Sequence, residues 1–139
     1  MFLLDTNVIS ELRRGKPHQS SAVRAWAEEQ PVQQLYLFSI TVLEPKMGVL
    51  RMERKDRSQG NVLRTWVEAV FQQLDGQVLP FAAETARCCA VMHVPDAMSV
   101  RDSMIAATAL QYGLILVTRN VSDFDGIKIK LIKPWEDLA

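Results

Sequence analysis

The chain has 139 residues, of which 48% are apolar and 23% are charged, a balance typical of a folded globular domain. This length predicts a single domain over residues 1–139, large enough to fold without a disulfide or a structural metal. Sixteen basic residues balance sixteen acidic ones, which excludes a polybasic nucleic-acid binder that relies on overall charge.

Four short runs that are apolar almost throughout predict strands covered on both faces. In chain order they are Phe2–Leu4, Leu35–Ile40, Val78–Phe81 and Leu114–Val117. A fifth run, Ile127–Ile132, alternates apolar residues with lysines and is typical of an edge strand. Because the first four runs do not alternate with polar residues, we expect a mainly parallel sheet.

Helical patterns occupy the intervals between these runs. The strongest is residues 62–74, where apolar residues recur on one helical face. The other predicted helices are Ala22–Ala27, Val42–Glu53, Ala83–His93 and Asp102–Tyr112, with Gly113 as the C-terminal cap of the last. Strands that alternate with helices require right-handed crossovers, so the expected fold is a three-layer α/β/α sandwich.

Four acidic residues fall at strand ends or helix starts. Asp5 directly follows the first strand, and Asp123 follows the strand over residues 114–117. Glu44 and Asp102 lie at the starts of two predicted helices. In a parallel sandwich all these points lie at one edge of the sheet, where ligands collect. The sequence therefore predicts an acidic cluster built from distant segments.

The composition of this cluster indicates its chemistry. Carboxylates that lie close together repel one another unless they share protons or bind a hard cation. Because no histidine or cysteine accompanies them, an all-oxygen site favours Mg²⁺ or Mn²⁺ over zinc. Such an ion polarises a phosphodiester and activates water for in-line attack, so the sequence predicts metal-dependent phosphodiester hydrolysis.

Each acid also has a structural interpretation. Asp102 could cap its helix, Thr41 and Glu44 fit a capping box, and Asp123 lies in a sequence typical of turns. Asp5 is harder to explain in this way, because a carboxylate at the end of a buried strand is costly to desolvate. Four acids at one edge favour the functional interpretation.

Pro45 leaves the orientation of Glu44 open. If Thr41 caps the helix, Pro45 is its fourth residue and disturbs the first hydrogen-bonded turn. If the helix instead begins around Leu43 or Glu44, Pro45 is an ordinary first-turn proline.

Four segments resemble, in order, the signature segments of PIN domains, and most closely those of the VapC and FitB toxins. They are Leu3–Asn7, Thr41–Glu44, Arg101–Ala109 and Val117–Phe124. The resemblance covers essentially the whole chain. It implies a PIN-like α/β/α fold and a Mg²⁺- or Mn²⁺-dependent endoribonuclease, the toxin of a type II toxin–antitoxin pair.

The resemblance also implies roles for particular residues. It assigns catalysis to an acidic quartet, with the metal held by three of its members: Asp5, Asp102 and Asp123 hold the metal, and Glu44 completes the quartet. Supporting donors or acceptors would hold the carboxylates in place, namely Thr6, Asn7, Thr118 and Asn120.

The same resemblance implies three partners. These are an RNA substrate, a cognate antitoxin that is a small DNA-binding protein, and a second copy of the chain. The expected assembly is a homodimer that forms a heterotetramer or a larger complex with the antitoxin.

The location expected from the sequence is cytoplasmic, with no membrane association. The first apolar run stops at Asp5 and has no basic region before it, unlike a signal peptide. Cys88 and Cys89 are adjacent, which is poor geometry for a disulfide and favours a reducing compartment.

Two other functions remain open. Pro45 and the neutral net charge are compatible with a weakly active PIN module that acts mainly as an antitoxin partner in an operator-DNA-binding complex. A haloacid-dehalogenase-type phosphatase also has an Asp after its first strand, but it needs a second Asp where this chain has Asn7.

Overall fold

A computed structural model describes residues 1–13 and 18–135. In these ranges one sheet contains the strands β1 (Phe2–Leu4), β2 (Leu35–Phe38), β3 (Val78–Leu79), β4 (Ile115–Val117) and β5 (Leu131–Ile132). All neighbouring pairs are parallel, and the order is β3-β2-β1-β4-β5. The parallel sheet is confirmed, as is the edge position of the last strand.

The helices that connect these strands are α1 (Thr6–Glu11), α2 (Ser21–Glu29), α3 (Ser39–Lys55), α4 (Arg57–Gln73), α5 (Ala83–Val91) and α6 (Val100–Tyr112). Each of the five predicted helices is present, and Gly113 ends α6 in the left-handed conformation with φ of 65°. Helix α1 was not predicted, because its six residues are too few to show a periodic pattern.

Two apolar clusters cover the opposite faces of the sheet. Successive strand residues point to opposite faces, so Leu3 and Leu4 belong to different clusters, as do Leu116 and Val117. Residues of α1, α2 and α4 pack with the first cluster, and residues of α6 pack with the second. The three-layer α/β/α sandwich is therefore confirmed, and the burial of both faces explains the continuous apolar character of the strands.

Several strands are shorter than predicted. β2 ends at Phe38 rather than Ile40, because the chain enters α3 at Ser39, whose hydroxyl donates to the Leu79 carbonyl at 3.3 Å. β3 ends at Leu79, since Pro80 has no N–H to continue the ladder.

Strand β5 also begins later than predicted, at Leu131 rather than at Ile127. The backbone N–H of Ile127 donates to Phe124 at 3.2 Å, and that of Ile129 donates to Ile127 at 2.9 Å. These amides form local turns, so pairing with β4 begins only at Leu131.

Helices α3 and α4 form an antiparallel pair with a close backbone contact. Arg64 on α4 donates from Nε and Nη2 to the two carboxylate oxygens of Glu53 on α3, each at 2.7 Å. Gly60 lies beside this ion pair, where a Cβ atom would come within 2.5 Å of the Glu53 Cα. The absence of a side chain at Gly60 is therefore what permits this approach.

We expect Gly60→Ala to lower the free energy of unfolding by about 1–3 kcal/mol, because the backbone of α3 has to move. Gly48→Ala is the matched control, since Gly48 lies inside α3 and a Cβ there meets nothing within 4 Å. Its expected effect is a gain of about 0.5–1 kcal/mol from helix propensity. Urea unfolding of both variants measures the difference, and a neutral Gly60→Ala would contradict the close contact.

Within the described ranges, no helix is long and apolar enough to span a bilayer. Cys88 and Cys89 are both free cysteines, the first partly buried and the second buried.

Candidate active site

The strand order reverses between β1 and β4, which lie side by side in the middle of the sheet. From β1 the chain proceeds to β2 and β3 on one side, and it then crosses to β4 and β5 on the other. The carboxyl ends of β1 and β4 therefore form the topological switch point of the sheet. A pocket of about 470 Å³ opens here, lined by Asp5, Thr6, Asn7, Ser10, Glu44, Arg101, Asp102 and Asn120.

Asp5 lies at the base of this pocket and is only 2% exposed. Its Oδ1 accepts a hydrogen bond from the Thr6 backbone N–H at 2.7 Å, and its Oδ2 accepts one from the Thr118 hydroxyl at 2.8 Å. Asp5 is also the N-cap residue of α1. The donors on both oxygens compensate for the burial of the carboxylate and fix its orientation.

Glu44 reaches the pocket from α3, and its Oε1 accepts from the Thr6 hydroxyl at 2.6 Å. Helix α3 begins at Ser39 with Phe38 as its N-cap residue, so the predicted capping box of Thr41 and Glu44 is wrong. Both predicted helix starts are wrong as well. Pro45 lies in the helix interior, where it has no N–H to donate to the Thr41 carbonyl four residues earlier.

Asp102 lies in the first turn of α6 and lines the pocket. The N-cap of this helix is Ser99, whose hydroxyl oxygen accepts from the Asp102 backbone N–H at 3.3 Å. The interpretation of Asp102 as the helix cap is therefore wrong, and its carboxylate faces the pocket without a capping role.

Asp123 is exposed in a short 3₁₀ segment, Val121–Phe124, and does not line the pocket. It is near enough for its charge to raise the pKa of Asp102. Three of the four predicted acids, Asp5, Glu44 and Asp102, therefore line the pocket, and Asp123 lies outside its lining on the exposed surface.

The four predicted supporting residues also lie at this edge of the sheet. Thr6 and Thr118 donate directly to the carboxylates. Asn7 accepts the backbone N–H of Arg119 at 3.2 Å, and the backbone N–H of Asn120 donates to the Thr118 hydroxyl oxygen at 3.2 Å. Thr118 therefore relays a hydrogen bond from the chain after β4 to Asp5.

Arg101 is a residue of the pocket that the sequence analysis did not single out. Its Nη2 lies 2.5 Å from Asp5 Oδ1 and 2.7 Å from Glu44 Oε1, and its Nη1 lies 3.4 Å from Asp102 Oδ1. In the sequence, the feature that could have predicted a role for Arg101 in the pocket is its position directly before Asp102 at the start of a helix. An arginine in that place more often points into solvent.

The pKa values of Glu44 and Asp102 shift in opposite directions. Burial alone would raise the pKa of Glu44, but hydrogen bonds from Arg101 and Thr6 together with the charge of Arg101 outweigh it and hold that pKa below its ordinary value. Burial raises the pKa of Asp102, and the charges of Asp123 and Asp5 reinforce this against the opposing effect of Arg101. Burial therefore disfavours the ionised form of Asp102, whereas Arg101 favours the ionised form of Glu44.

The donor set fits a hard divalent cation. Asp5, Glu44 and Asp102 offer only carboxylate oxygens, which Mg²⁺ and Mn²⁺ prefer. In residues 1–13 and 18–135, no group of three or more acidic, histidine or cysteine side chains lies in a geometry that could hold a metal ion. The cation that these carboxylates do contact is the guanidinium of Arg101.

Two buried threonines provide a test of the hydrogen bonds at this edge. We expect Thr118→Val to lower the free energy of unfolding by about 1–3 kcal/mol, because Asp5 Oδ2 loses the donor that compensates for its burial. Thr41 is equally buried, but its hydroxyl has no partner among the described residues. Thr41→Val should therefore be neutral or stabilising. Equal losses from the two substitutions, measured by urea unfolding, would contradict this assignment.

A parallel sheet with acids gathered at its switch point defines the class to which the chain belongs. The family model of the PIN domain matches residues 2–129. The chain belongs to the PIN domain family, and the resemblance found in its four signature segments is confirmed.

Particular relatives are similar over nearly the whole chain. The chain is 37% identical to the VapC ribonuclease Y4jK of Sinorhizobium fredii, with 98% of this chain and 99% of that protein covered. It is 34% identical to the toxin FitB of Neisseria gonorrhoeae, with 99% of this chain and 100% of that protein covered. The crystal structure of FitAcB from Neisseria gonorrhoeae superposes with a TM-score of 0.88 at 32% identity, over 99% of this chain and 100% of that one. The structure of FitAB bound to the IR36 DNA fragment superposes with a TM-score of 0.88 at 30% identity, over 100% of this chain and 99% of that one.

Proposed function

We propose that this chain is the toxin of a type II toxin–antitoxin system and that it hydrolyses RNA phosphodiester bonds with Mg²⁺ or Mn²⁺. The observation that carries the proposal is the pocket at the switch point, around which Asp5, Glu44 and Asp102 converge. The similarity to proteins named VapC ribonuclease and toxin FitB supports the ribonuclease and toxin roles. The carboxylate donor set of the pocket supports the dependence on Mg²⁺ or Mn²⁺.

The residues would divide the work as follows. Asp5, Asp102 and Asp123 would hold the metal, and Glu44, whose carboxylate accepts a hydrogen bond from the Thr6 hydroxyl, would orient the attacking water. When bound, the divalent ion supplies Lewis acidity toward the phosphodiester. Thr6 fixes Glu44 and Thr118 fixes Asp5 through their hydroxyl groups, so the two carboxylates hold their relative positions.

An assay of RNA cleavage tests the activity. Labelled RNA is incubated with the purified protein in Mg²⁺, in Mn²⁺ or in EDTA, and the products are separated by electrophoresis. We expect endonucleolytic fragments with either ion and intact RNA in EDTA. Cleavage that survives EDTA would exclude metal dependence, and intact RNA in all three conditions would exclude the ribonuclease.

The proposed protein partner is an antitoxin that contributes an apolar helix. An apolar groove of about 580 Å³ supports this, because Leu12 just after α1, Ala27 on α2 and Trp66 on α4 all line it. We also propose that the antitoxin is a small DNA-binding protein. Copurification of the chain with the product of a short adjacent gene is the expected result.

We further propose a cytoplasmic homodimer that forms a heterotetramer or a larger assembly with its antitoxin. Leu43 and Leu50 lie on one side of α3 and are each about half exposed, at 49% and 52%. Apolar side chains at such positions favour contact with a second copy of the chain. Sedimentation at tens of micromolar should give a dimer, and a monomer alone would contradict this proposal.

A second candidate function is a weakly active module that holds its antitoxin on operator DNA. The interior position of Pro45 and the ion pairs that Arg101 makes within the pocket favour it. In that case the complex would bind operator DNA tightly while the free chain cleaved RNA only weakly with either ion.

A further inference from the structure

The proposed function leaves the guanidinium of Arg101 unexplained. Besides the Nη2 contacts to Asp5 and Glu44, the Nε of Arg101 donates to both Glu44 oxygens at 3.2 Å each. The same Nη2 lies 3.3 Å from the Thr6 hydroxyl oxygen. One cation thus contacts the carboxylates to which the proposed mechanism assigns metal binding and water orientation.

The hydrogen bonds of Asp5 show why Arg101 and a metal ion compete. Oδ1 has two lone pairs, of which one accepts from the Thr6 N–H and the other from Arg101 Nη2. Mg²⁺ binds a carboxylate oxygen at about 2.1 Å, which is shorter than the contact that Arg101 makes with Oδ1. An ion on that lone pair would take the place of the guanidinium, and the two like charges would repel.

The rest of the pocket makes displacement of Arg101 feasible. Three carboxylates face a single guanidinium, so excess negative charge still attracts a divalent ion. The Arg101 side chain is 30% exposed at an open pocket. Rotation about its side-chain bonds alone would carry the guanidinium out of the pocket, because those bonds are free to rotate without a change in the backbone of α6.

We propose that Arg101 is an intramolecular counter-cation that competes with the divalent ion for Asp5 while it pairs with Glu44, so that metal binds only when the guanidinium leaves the pocket. This inference rests on the proposed metal-dependent function. Arg101 stabilises the acidic cluster in the metal-free protein and weakens its affinity for metal. It is a positioning residue that sets the metal concentration at which the site fills.

Calorimetric titration with Mn²⁺ tests this competition on the wild type, on Arg101→Gln and on Arg87→Gln. The glutamine at position 101 keeps much of the side chain but removes the charge, so we expect Mn²⁺ to bind at least about tenfold more tightly. Arg87 is the matched control, because it lies on the exposed side of α5 and contacts Glu84 at 3.4 Å. Its loss of the same charge should change the affinity by no more than about twofold.

Thermal melts provide a second readout. In EDTA, Arg101→Gln should melt below the wild type, because its carboxylates repel without a counter-cation. Saturating Mn²⁺ should raise its melting temperature by more than that of the wild type. Arg101→Lys keeps the charge without the planar fork, and its Mn²⁺ affinity should fall between those of the wild type and Arg101→Gln.

The possible outcomes separate this inference from the proposed function. If the wild type and Arg101→Gln bind Mn²⁺ with equal affinity, the competition is overturned while the metal site stands. If neither binds Mn²⁺, both are overturned. Binding by the variant alone would support the competition directly.

A measurement on the wild type keeps the inference falsifiable if the glutamine variant fails to fold. The Nε–H resonance of Arg101 reports its contact with Glu44, and saturating Mg²⁺ should move it to the position of a solvent-exposed arginine. An unchanged resonance in protein that has bound Mg²⁺ would overturn the proposal.

Discussion

Asp5→Asn should reduce metal-dependent RNA cleavage by at least about a hundredfold, because even the neighbours of metal ligands typically contribute ten- to a hundredfold. The asparagine keeps the size of the side chain and an oxygen that can accept the Thr6 N–H. It removes the charge that holds either Arg101 or a divalent ion. The initial rate of cleavage at saturating Mg²⁺ measures the loss.

Asp125→Asn is the matched control for this experiment. Asp125 is exposed and lies two residues beyond Asp123, so the same change of charge occurs near the site but outside the pocket. Its cleavage rate should remain within about twofold of the wild type, because exposed charges are screened by salt. Comparable losses in the two variants would mean that Asp5 acts only through the general charge of this surface.

The second large effect concerns Asp102→Asn and the response of the protein to metal. For a site that is filled at a hundredfold excess of ion over Kd, metal binding adds about 2.7 kcal/mol to the free energy of unfolding. Asp102→Asn should lose most of this gain, since it removes one of the proposed ligands. In EDTA it should melt at the wild-type temperature or above, because it removes a carboxylate whose burial disfavours the ionised form and raises its pKa.

The pH dependence of this second effect has a definite sign. The pKa of Asp102 is raised on folding, so the ionised carboxylate destabilises the native state above that raised pKa. The advantage of Asp102→Asn in EDTA should therefore be present at neutral pH and shrink as the pH falls through the raised pKa. It should be gone below the ordinary value of 3.8. An advantage that grew toward acid pH would contradict the assigned cause.

Ser99→Ala separates a capping effect from a metal effect at the same end of α6. It removes the hydroxyl that accepts the Asp102 N–H and should cost about 1 kcal/mol, equally in EDTA and in Mn²⁺. If Asp102→Asn showed the full wild-type response to Mn²⁺, Asp102 would not be a metal ligand.

The layers of the fold were predictable because a strand that is buried on both faces needs apolar residues at successive positions, and such a run is visible in the sequence. Leu3 and Leu4 pack into opposite clusters, so neither position tolerates a polar residue and the strand reads as a continuous apolar run. The residue at which a strand ends and a helix begins is not visible in the sequence in this way. Ile40 continues the apolar run of β2 although it already belongs to α3, since apolar residues suit both elements.

The site was predictable only as far as the position of its backbone. The carboxyl end of a parallel strand and the N-terminus of the helix that leads into its neighbour lie at the same edge, so the topology alone brings Asp5 and Asp102 together. The contacts of Arg101 depend on the rotamer of a long side chain and on the distance between β1 and α6, and no local pattern encodes either. The helix cap at Ser99 was missed because Asp102 offers a second plausible cap three residues later.

The contact between Asp5 and Thr118 joins residues 113 positions apart, and it depends on the pairing of β1 with β4. During synthesis the ribosome adds about 5–20 residues per second, so the first strand waits several seconds for its neighbour to emerge. Until then Asp5 has no Thr118 to orient it, and an unfinished chain carries no assembled pocket. Under the proposed function, the chain can therefore cleave RNA only after the ribosome has synthesised β4 and Thr118, and a nascent chain that lacks them is inactive.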